Sequence, residues 1–323
     1  MDQDCTIQEN EFAEKTKIRS INGVQSTAIV DMLVRYYAGE RMFFRLAMIN
    51  AVFPYLFALT FPAGEYHVEL ETGQCITIKA LPYTDCRLLH PKKSSNAPYT
   101  FNITDDNTAM IMDFRSFIEE ERFRAFTDSM FRLCREKNIG NLIIDLRENG
   151  GGNSNLGDQL LYHLTGNTFQ QGSPCLINNT PRIRRLLKHS DMVAYMSGLP
   201  DGLFWTPEPT AKQAPEGFMP FDGNVYVLIS HLSFSSAVSF AWTIKELGIG
   251  TFIGEETGGM GVCYGNVLSG KLDHSDLQWQ MSFAKMYMWR ATEDNVHGVL
   301  PDVEVPAEQA LDFVLELIRK KEQ

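Results

Sequence analysis

Cationic charge is scarce in this chain of 323 residues: 29 lysines and arginines face 40 aspartates and glutamates, a formal net charge of −11. No basic block interleaved with aromatics offsets that deficit, so nothing would drive counterion release from a phosphate backbone, and nucleic acid is excluded as a partner. Clustered cysteine is equally absent. Cys5, Cys75, Cys86, Cys134, Cys175 and Cys263 form no Cys-x-x-Cys pair or Cys/His cluster, and read as isolated small apolar side chains rather than a zinc site. No G-x-x-x-x-G-K-[ST] loop occurs and no internal repeat, so neither a metal nor an organic cofactor is implied. The opening Met1-Asp2-Gln3-Asp4-Cys5 is acidic and leads into polar residues, unlike the basic and then apolar start of an export signal. The compartment is therefore open; periplasm or bacterial cell surface is expected only for a longer form that carries such a signal.

Long apolar runs are also few. The one that reaches the ~20 residues needed to cross a bilayer is MFFRLAMINAVFPYLFALTF, Met42 to Phe61. It carries Arg45, Asn50 and Pro54, which are costly in lipid and tolerable in helices packed on a soluble core, so no stable membrane insertion is expected. What is present is ordinary globular material, 44% hydrophobic and 21% charged, in a length that suits two units.

Lys17 to Gly23 reads as a strand entering a turn at Asn22-Gly23, followed by a helix from Ser26 to Gly39 with apolar residues at Ile29, Met32, Leu33 and Tyr36. YHVEL and CITIKAL, separated by Glu71-Thr72-Gly73, predict a hairpin. The polar, proline-bounded run PKKSSNAP, 91–98, reads as a linker, giving a small β-rich module over 1–90 and a larger domain over 91–323. Beyond it TAMIMDF, a helix near Ile118 to Lys137, NLIIDL, a helix from Leu156 to Leu164, VYVLIS, a helix from Ser236 to Leu247 and GTFIG alternate strand with helix. That alternation predicts an α/β sheet with crossover helices. Residues 169–222, rich in proline and glycine, show little regular pattern and read as a flap or a surface excursion.

Three motifs could carry chemistry. Asp145-Leu146-Arg147-Glu148-Asn149-Gly150-Gly151-Gly152 ends a buried strand, and its glycines allow a tight turn with exposed N–H groups suited to an oxyanion. A dinucleotide fingerprint counted from Gly150 fails at Asn155. Ser233-Phe234-Ser235-Ser236-Ala237 lies between a strand and a helix N-terminus, which suits an exposed nucleophile and also a plain helix cap. His297-Gly298-Val299-Leu300-Pro301-Asp302-Val303, after Glu293-Asp294, reads alone as a turn and a terminal strand.

In their order and spacing these motifs, with Ile253-Gly254-Glu255-Glu256-Thr257-Gly258-Gly259 between the last two, resemble the signatures of the tricorn-like and C-terminal-processing (tail-specific) serine peptidases. The resemblance implies an α/β catalytic domain with a ClpP/crotonase-like spiral of strands and helices, preceded by a PDZ-like domain; KIRSINGVQSTAIVDMLVRYY is similar to the strand and helix of that module. It implies peptide or protein substrates, Ser235 as nucleophile, and the N–H groups of Gly151 and Ser236 as oxyanion donors. Gly150, Gly152, Gly258 and Gly259 are implied at the substrate, and Glu293 as the carboxylate that orients the base. Met260 stands where the processing branch has its lysine base, so the Ser-Lys mechanism is excluded.

The tricorn-like branch uses a histidine located before the PDZ-like module. His67, His90, His163, His189, His231, His274 and His297 all follow that point. The base is then expected from a preceding segment, with His231 or His297 as substitutes. Two further readings stay open: a peptide-binding protein without turnover, and an α/β-hydrolase-type esterase using Ser235, Asp294 and His297, although its G-x-S-x-G elbow is replaced by Ser233 and Ala237. Oligomeric state is not legible.

Overall fold

The computed structural model describes residues 6–7, 16–80, 97–187 and 191–321. The chain divides into two compact units, Met1–Ala97 and Pro98–Gln323. The proline-bounded run falls almost entirely outside the described residues, as do Cys5, Cys86, His90 and His189.

In the small unit the strands are β1 (Thr6–Ile7), β2 (Thr16–Ile21), β3 (Val24–Gln25), β4 (Glu65–Leu70) and β5 (Cys75–Lys79). They form one antiparallel sheet in the order β1-β2-β4-β5, with β3 also on β2. Asn22 (φ 49°) and Gly23 (φ 76°) make the two-residue turn between β2 and β3, the left-handed pair that matches strand twist in a tight hairpin. Helix α1 (Ser26–Leu33) is shorter than its periodicity suggests because the chain tightens into a 3₁₀ turn over Val34–Tyr36.

Helix α2 (Met42–Thr60) is the apolar run, and it is long and apolar enough to cross a membrane by length and composition, with a mean hydropathy of 1.6. Only Phe44, Ile49 and Phe57 are buried along it. The burial expected for this run is thus limited to those three positions, and the rest of the helix is half-buried or exposed. Ile49 and Phe57 pack with Ile18, Ile21, Ile29, Leu33, Val68 and Leu70. Arg45 is tolerated inside this run because its guanidinium turns back to the carbonyls of Val34, which opens the 3₁₀ turn, and Tyr37, which follows it (2.9 Å).

The large unit is built on a six-stranded sheet of β6 (Tyr99–Ile103), β7 (Ala109–Phe114), β8 (Asn141–Asp145), β11 (Asn224–Ile229), β12 (Thr251–Gly254) and β15 (Val303–Glu304), in the order β15-β12-β11-β8-β7-β6. All neighbours are parallel except β6, which turns back on β7. Every residue of β8 is buried, as a central strand covered on both faces requires. Its side chains divide by parity. Leu142 and Ile144 join Val225, Val227 and Ile229 against α3 (Glu120–Glu136), α4 (Asn155–Leu164) and α7 (Ser236–Leu247). Ile143 joins Tyr226, Leu228 and Ile253 against Ala310, Val314 and Ile318 of α8 (Ala310–Lys321). The strands and helices read from the alternating pattern are therefore present, and the fold is mixed α/β.

The stretch 169–222 departs from its reading. It holds β9 (Leu176–Asn179), helices α5 (Pro181–Leu187) and α6 (Asp191–Ser197) and β10 (Gly202–Trp205). Together with β13 (Val262–Lys271) and β14 (Gln278–Tyr287) the two strands form a second, antiparallel sheet in the order β10-β9-β14-β13. Strands this short carry little periodicity of their own, and β9 finds β14 only after more than a hundred intervening residues.

His163 ends α4 inside the larger core, 6% exposed, with its ring stacked on Phe131 at 4.4 Å and its Nε2 3.3 Å from Asp128 Oδ1. Burial outweighs the Asp128 charge and lowers its pKa to about 4, from an ordinary value of 6.5. The unfolded chain therefore takes up this proton first as pH falls. The stability that the neutral ring confers is complete above pH 6.5 and is lost on the way down to pH 4, by about 3 kcal/mol. Urea unfolding at pH 7 and pH 4.5 should show that loss, and His163→Phe should flatten the His163-dependent part of the profile.

Candidate active site

Two loops at the carboxyl ends of β8 and β11 meet. After β11 the chain runs through Ser230 to Ser235 and enters α7. Ser230 and Ser233, and Ser236 at the start of the helix, have structural partners: Ser233 Oγ donates to the Leu146 carbonyl (2.8 Å) and accepts from Ser230 N–H (3.0 Å), and the Ser230 hydroxyl donates to the Arg147 carbonyl. Ser236 Oγ donates to the Gly152 carbonyl at 2.6 Å. The three hydroxyl-to-carbonyl bonds tie the serine loop to the glycine loop, and the Ser230 N–H bond braces the serine loop itself. Ser235 is set apart by its backbone, at φ 56° and ψ −123°, a conformation an L residue holds at a cost of roughly 1–3 kcal/mol and only where its surroundings enforce it. Its side chain is thereby presented at the N-terminus of α7.

The enforcing neighbour is the glycine run. Asn149, fully buried, donates from Nδ2 to the Phe114 carbonyl (2.8 Å), accepts the Gly151 N–H at Oδ1 (2.8 Å), and through its own carbonyl accepts the Phe234 N–H (2.9 Å). One residue thus pins β7 and the glycine loop through its side chain and the serine loop through its carbonyl. Gly151, at φ 98°, lies so close to the serine that a Cβ there would sit 2.7 Å from Ser235 Cβ and 2.8 Å from Ser236 N. At Gly152 (φ 140°) a Cβ would fall on the Phe117 carbonyl. These two positions admit glycine alone.

Ser235 opens into a cavity of about 360 Å³. Gly152, Ser235, Ser236 and Gly259 line it, with Cys175, Val238, Met260, Cys263, Met286 and Met288 forming soft apolar walls and Phe234, Tyr264 and Tyr287 the aromatic surface. Of the other glycines singled out from sequence, Gly150 and Gly258 do not line it; the Gly258 N–H donates to the Ser233 carbonyl (2.9 Å) and so braces the loop. The Ser236 N–H, at the positive end of α7, has no acceptor among the described residues and is available to an oxyanion. The Gly151 N–H, the other expected donor, is engaged by Asn149.

Glu293 is held away from the cavity wall. Its carboxylate accepts from Lys285 Nζ at 2.7 and 2.6 Å and from the Tyr287 hydroxyl at 2.5 Å, and the Lys285 ammonium, with the Tyr287 hydroxyl, holds its pKa below the usual carboxylate range. Tyr287, a cavity residue, is its link to the site. No histidine, lysine, arginine or carboxylate is among the described residues that line the cavity.

The histidines considered as substitute bases lie elsewhere. His231 borders a separate acidic recess with Glu255, Glu256 and Glu304, and its Nδ1 is 2.9 Å from the Glu256 carbonyl. His297 stacks on Trp242 with its Nδ1 2.7 Å from the Gly298 carbonyl. Neither it nor Asp294 lines the cavity, so the Ser235, Asp294, His297 triad of the esterase reading is not assembled around it.

Sequence reasoning passed over Asn149, Tyr287 and the β13–β14 hairpin. For Asn149 a signal existed in its place between a buried strand and three glycines, where a polar side chain must satisfy loop amides. The hairpin offered only VCYGNVLSGK and QWQMSFAKMY, whose alternation is broken by glycine and polar residues.

The fold is similar to that of solved structures. The crystal structure of mature CPAF superposes with a TM-score of 0.59 at 13% identity, covering 98% of this chain and 79% of that one. Mature CPAF complexed with lactacystin gives 0.59 at 12% identity, over 96% and 77%. At such identities the likeness is one of fold. No curated protein matches the sequence. Residues 110–305 match the model of Peptidase family S41, a span that contains the glycine run, the serine loop, the cavity walls and Glu293. With the serine held at the head of α7 against that glycine run, and with this match over most of the chain, the protein belongs to peptidase family S41 and is a serine peptidase.

Proposed function

We propose that Ser235 is the nucleophile and that the large unit cleaves peptide bonds by acyl transfer to water. The carrying observation is the Ser235 backbone, held in a costly conformation at a helix N-terminus over an open cavity. Ser235 Oγ forms a bond to the peptide carbonyl carbon while its proton passes to a base. The C–N bond then breaks, the departing amine takes that proton, and water releases the acyl group. The Ser236 N–H faces the developing oxyanion. Gly151 contributes a second donor when its N–H is released from Asn149. Glu293, through Tyr287 and Lys285, orients groups at the cavity rim.

The finer architecture follows the same reading: the large unit as a ClpP/crotonase-like spiral, and the small unit as a PDZ-like module that captures an extended chain, supported by its strand, turn and helix order from β2 to α1. The boundary of these modules is read near residue 90. Substrates are unfolded or C-terminal polypeptide segments.

A second reading is favoured by one observation, the uncharged lining of the cavity among the described residues: a peptide-binding protein without turnover. A fluorophosphonate probe separates the two. Under the peptidase reading a single adduct maps to Ser235 by mass spectrometry and disappears in Ser235→Ala; a folded protein that takes up no label refutes the nucleophile.

A further inference from the structure

The wall of the Ser235 cavity includes five consecutive residues of one strand, Cys263 to Val267 of β13. Among the described residues this strand is the outer member of its sheet, paired with β14 alone. Which of its main-chain groups face outward follows from the ladder. Val262 is opposite Tyr287, Cys263 opposite Met286 and Tyr264 opposite Lys285. The Met288 N–H donates to the Gly261 carbonyl (2.8 Å), so Gly261 and Met288 form a hydrogen-bonded pair, and by the alternation of antiparallel ladders so do Cys263 with Met286 and Gly265 with Ala284. Val262 and Tyr264 belong to the other class. The partner strand agrees: the Tyr287 carbonyl accepts the Ser173 N–H on the side away from β13. The N–H and C=O of Tyr264 therefore point off the open edge, and neither has a main-chain partner there among the described residues.

Edges of this kind are ordinarily blunted by lysine, proline or a covering loop, because unpaired main-chain groups recruit another strand. From Val262 to Leu268, VCYGNVL, β13 has no charged residue and no proline, and Tyr264 and Val267 are 64% and 56% exposed. At Asn266, itself a lining residue, the backbone turns left-handed (φ 53°), which interrupts the regular run within the cavity wall.

We infer that the open edge of β13 is the docking strand for substrate: an extended peptide adds to it through the N–H and C=O of Tyr264, which lays the peptide across the cavity beside Ser235. Strand addition takes its affinity from main-chain hydrogen bonds and its selectivity from alternate side chains. One side chain of the docked segment then enters the cavity, and its thiol, thioether and aliphatic walls, without a charged group among the described lining, favour an uncharged, flexible or branched apolar residue there. The inference rests on Ser235 being the reacting group, and it is separable from it.

The test measures binding without turnover, by polarisation of a fluorescein-labelled, uncharged decapeptide of alternating leucine and serine on the full chain carrying Ser235→Ala. Single N-methyl groups are then moved along the peptide. Strand addition predicts losses of about three- to tenfold at positions of one parity and under about twofold at the other, the size of one neutral hydrogen bond. Tyr264→Pro, which deletes an outward N–H and spares the β14 ladder, should weaken binding by the same factor, and Tyr264→Ala, which removes part of the cavity wall but keeps that N–H, should weaken it less. No binding, equal effects at both parities, or a Tyr264→Pro protein that binds normally overturns the inference. So does a dimer in sedimentation that Tyr264→Pro dissolves, which would assign the edge to a second copy. Labelling of Ser235 in the unaltered chain judges the nucleophile independently.

Discussion

Gly151→Ala should remove nearly all reactivity at Ser235 and destabilise the large unit at the same time. The added methyl would be 2.7 Å from Ser235 Cβ, 2.8 Å from Ser236 N and 2.9 Å from the Phe234 carbonyl, and two of those three atoms are backbone that cannot rotate aside. The residue would also have to keep φ at 98°. Strain and overpacking together cost roughly 2–5 kcal/mol, which for a unit of this size lowers Tm by about 5–15 °C. The loop can relieve the contact only by moving Ser235 or the Ser236 N–H, and a shift of about 1 Å in such a constellation costs on the order of a hundredfold in rate. Fluorophosphonate labelling rates and a thermal melt on the same sample check both halves. Labelling at the unaltered rate would mean that the glycine loop does not hold the serine.

Asp145→Ala should cause a large loss of stability for a single side chain in the sheet. Asp145 ends β8 at 4% exposure and takes the Arg147 guanidinium on both oxygens, Nη2 at 2.6 Å and Nε at 2.9 Å, while Arg147 Nη1 donates to the Ala307 carbonyl at 2.6 Å. Removing the carboxylate leaves a largely buried cation with one neutral acceptor, a change that costs about 3–5 kcal/mol. Asp145→Asn keeps part of the hydrogen bonding and should lose roughly half of that. Chemical denaturation reads the difference. Because the Arg147 carbonyl accepts the Ser230 hydroxyl, the alanine variant should also slow labelling of Ser235.

Much of the α/β layer was legible in the chain. NLIID is apolar without alternation because β8 is covered on both faces, and the helix over Ser236–Leu247 shows in the apolar spacing that follows the serine loop. The three glycines were legible as a turn, and the serine as a residue between strand and helix. The second sheet was not, since β9 and β10 lie within a segment rich in proline and glycine and acquire their partners from remote strands.

Local chemistry thus determined the candidates: a serine at the head of a helix, glycines where the main chain must turn sharply, and a family signature shared by both. Tertiary structure alone decided what each of them does. It placed Gly151 against Ser235 Cβ, gave the Gly151 N–H to Asn149, took up Glu293 with Lys285 and Tyr287, and opened the edge of β13 beside the serine. The reason is physical. A turn or a helix cap is specified by neighbours in sequence, whereas a hydrogen-bond partner, a close approach or an unpaired edge is specified by whichever distant strand the core has brought alongside.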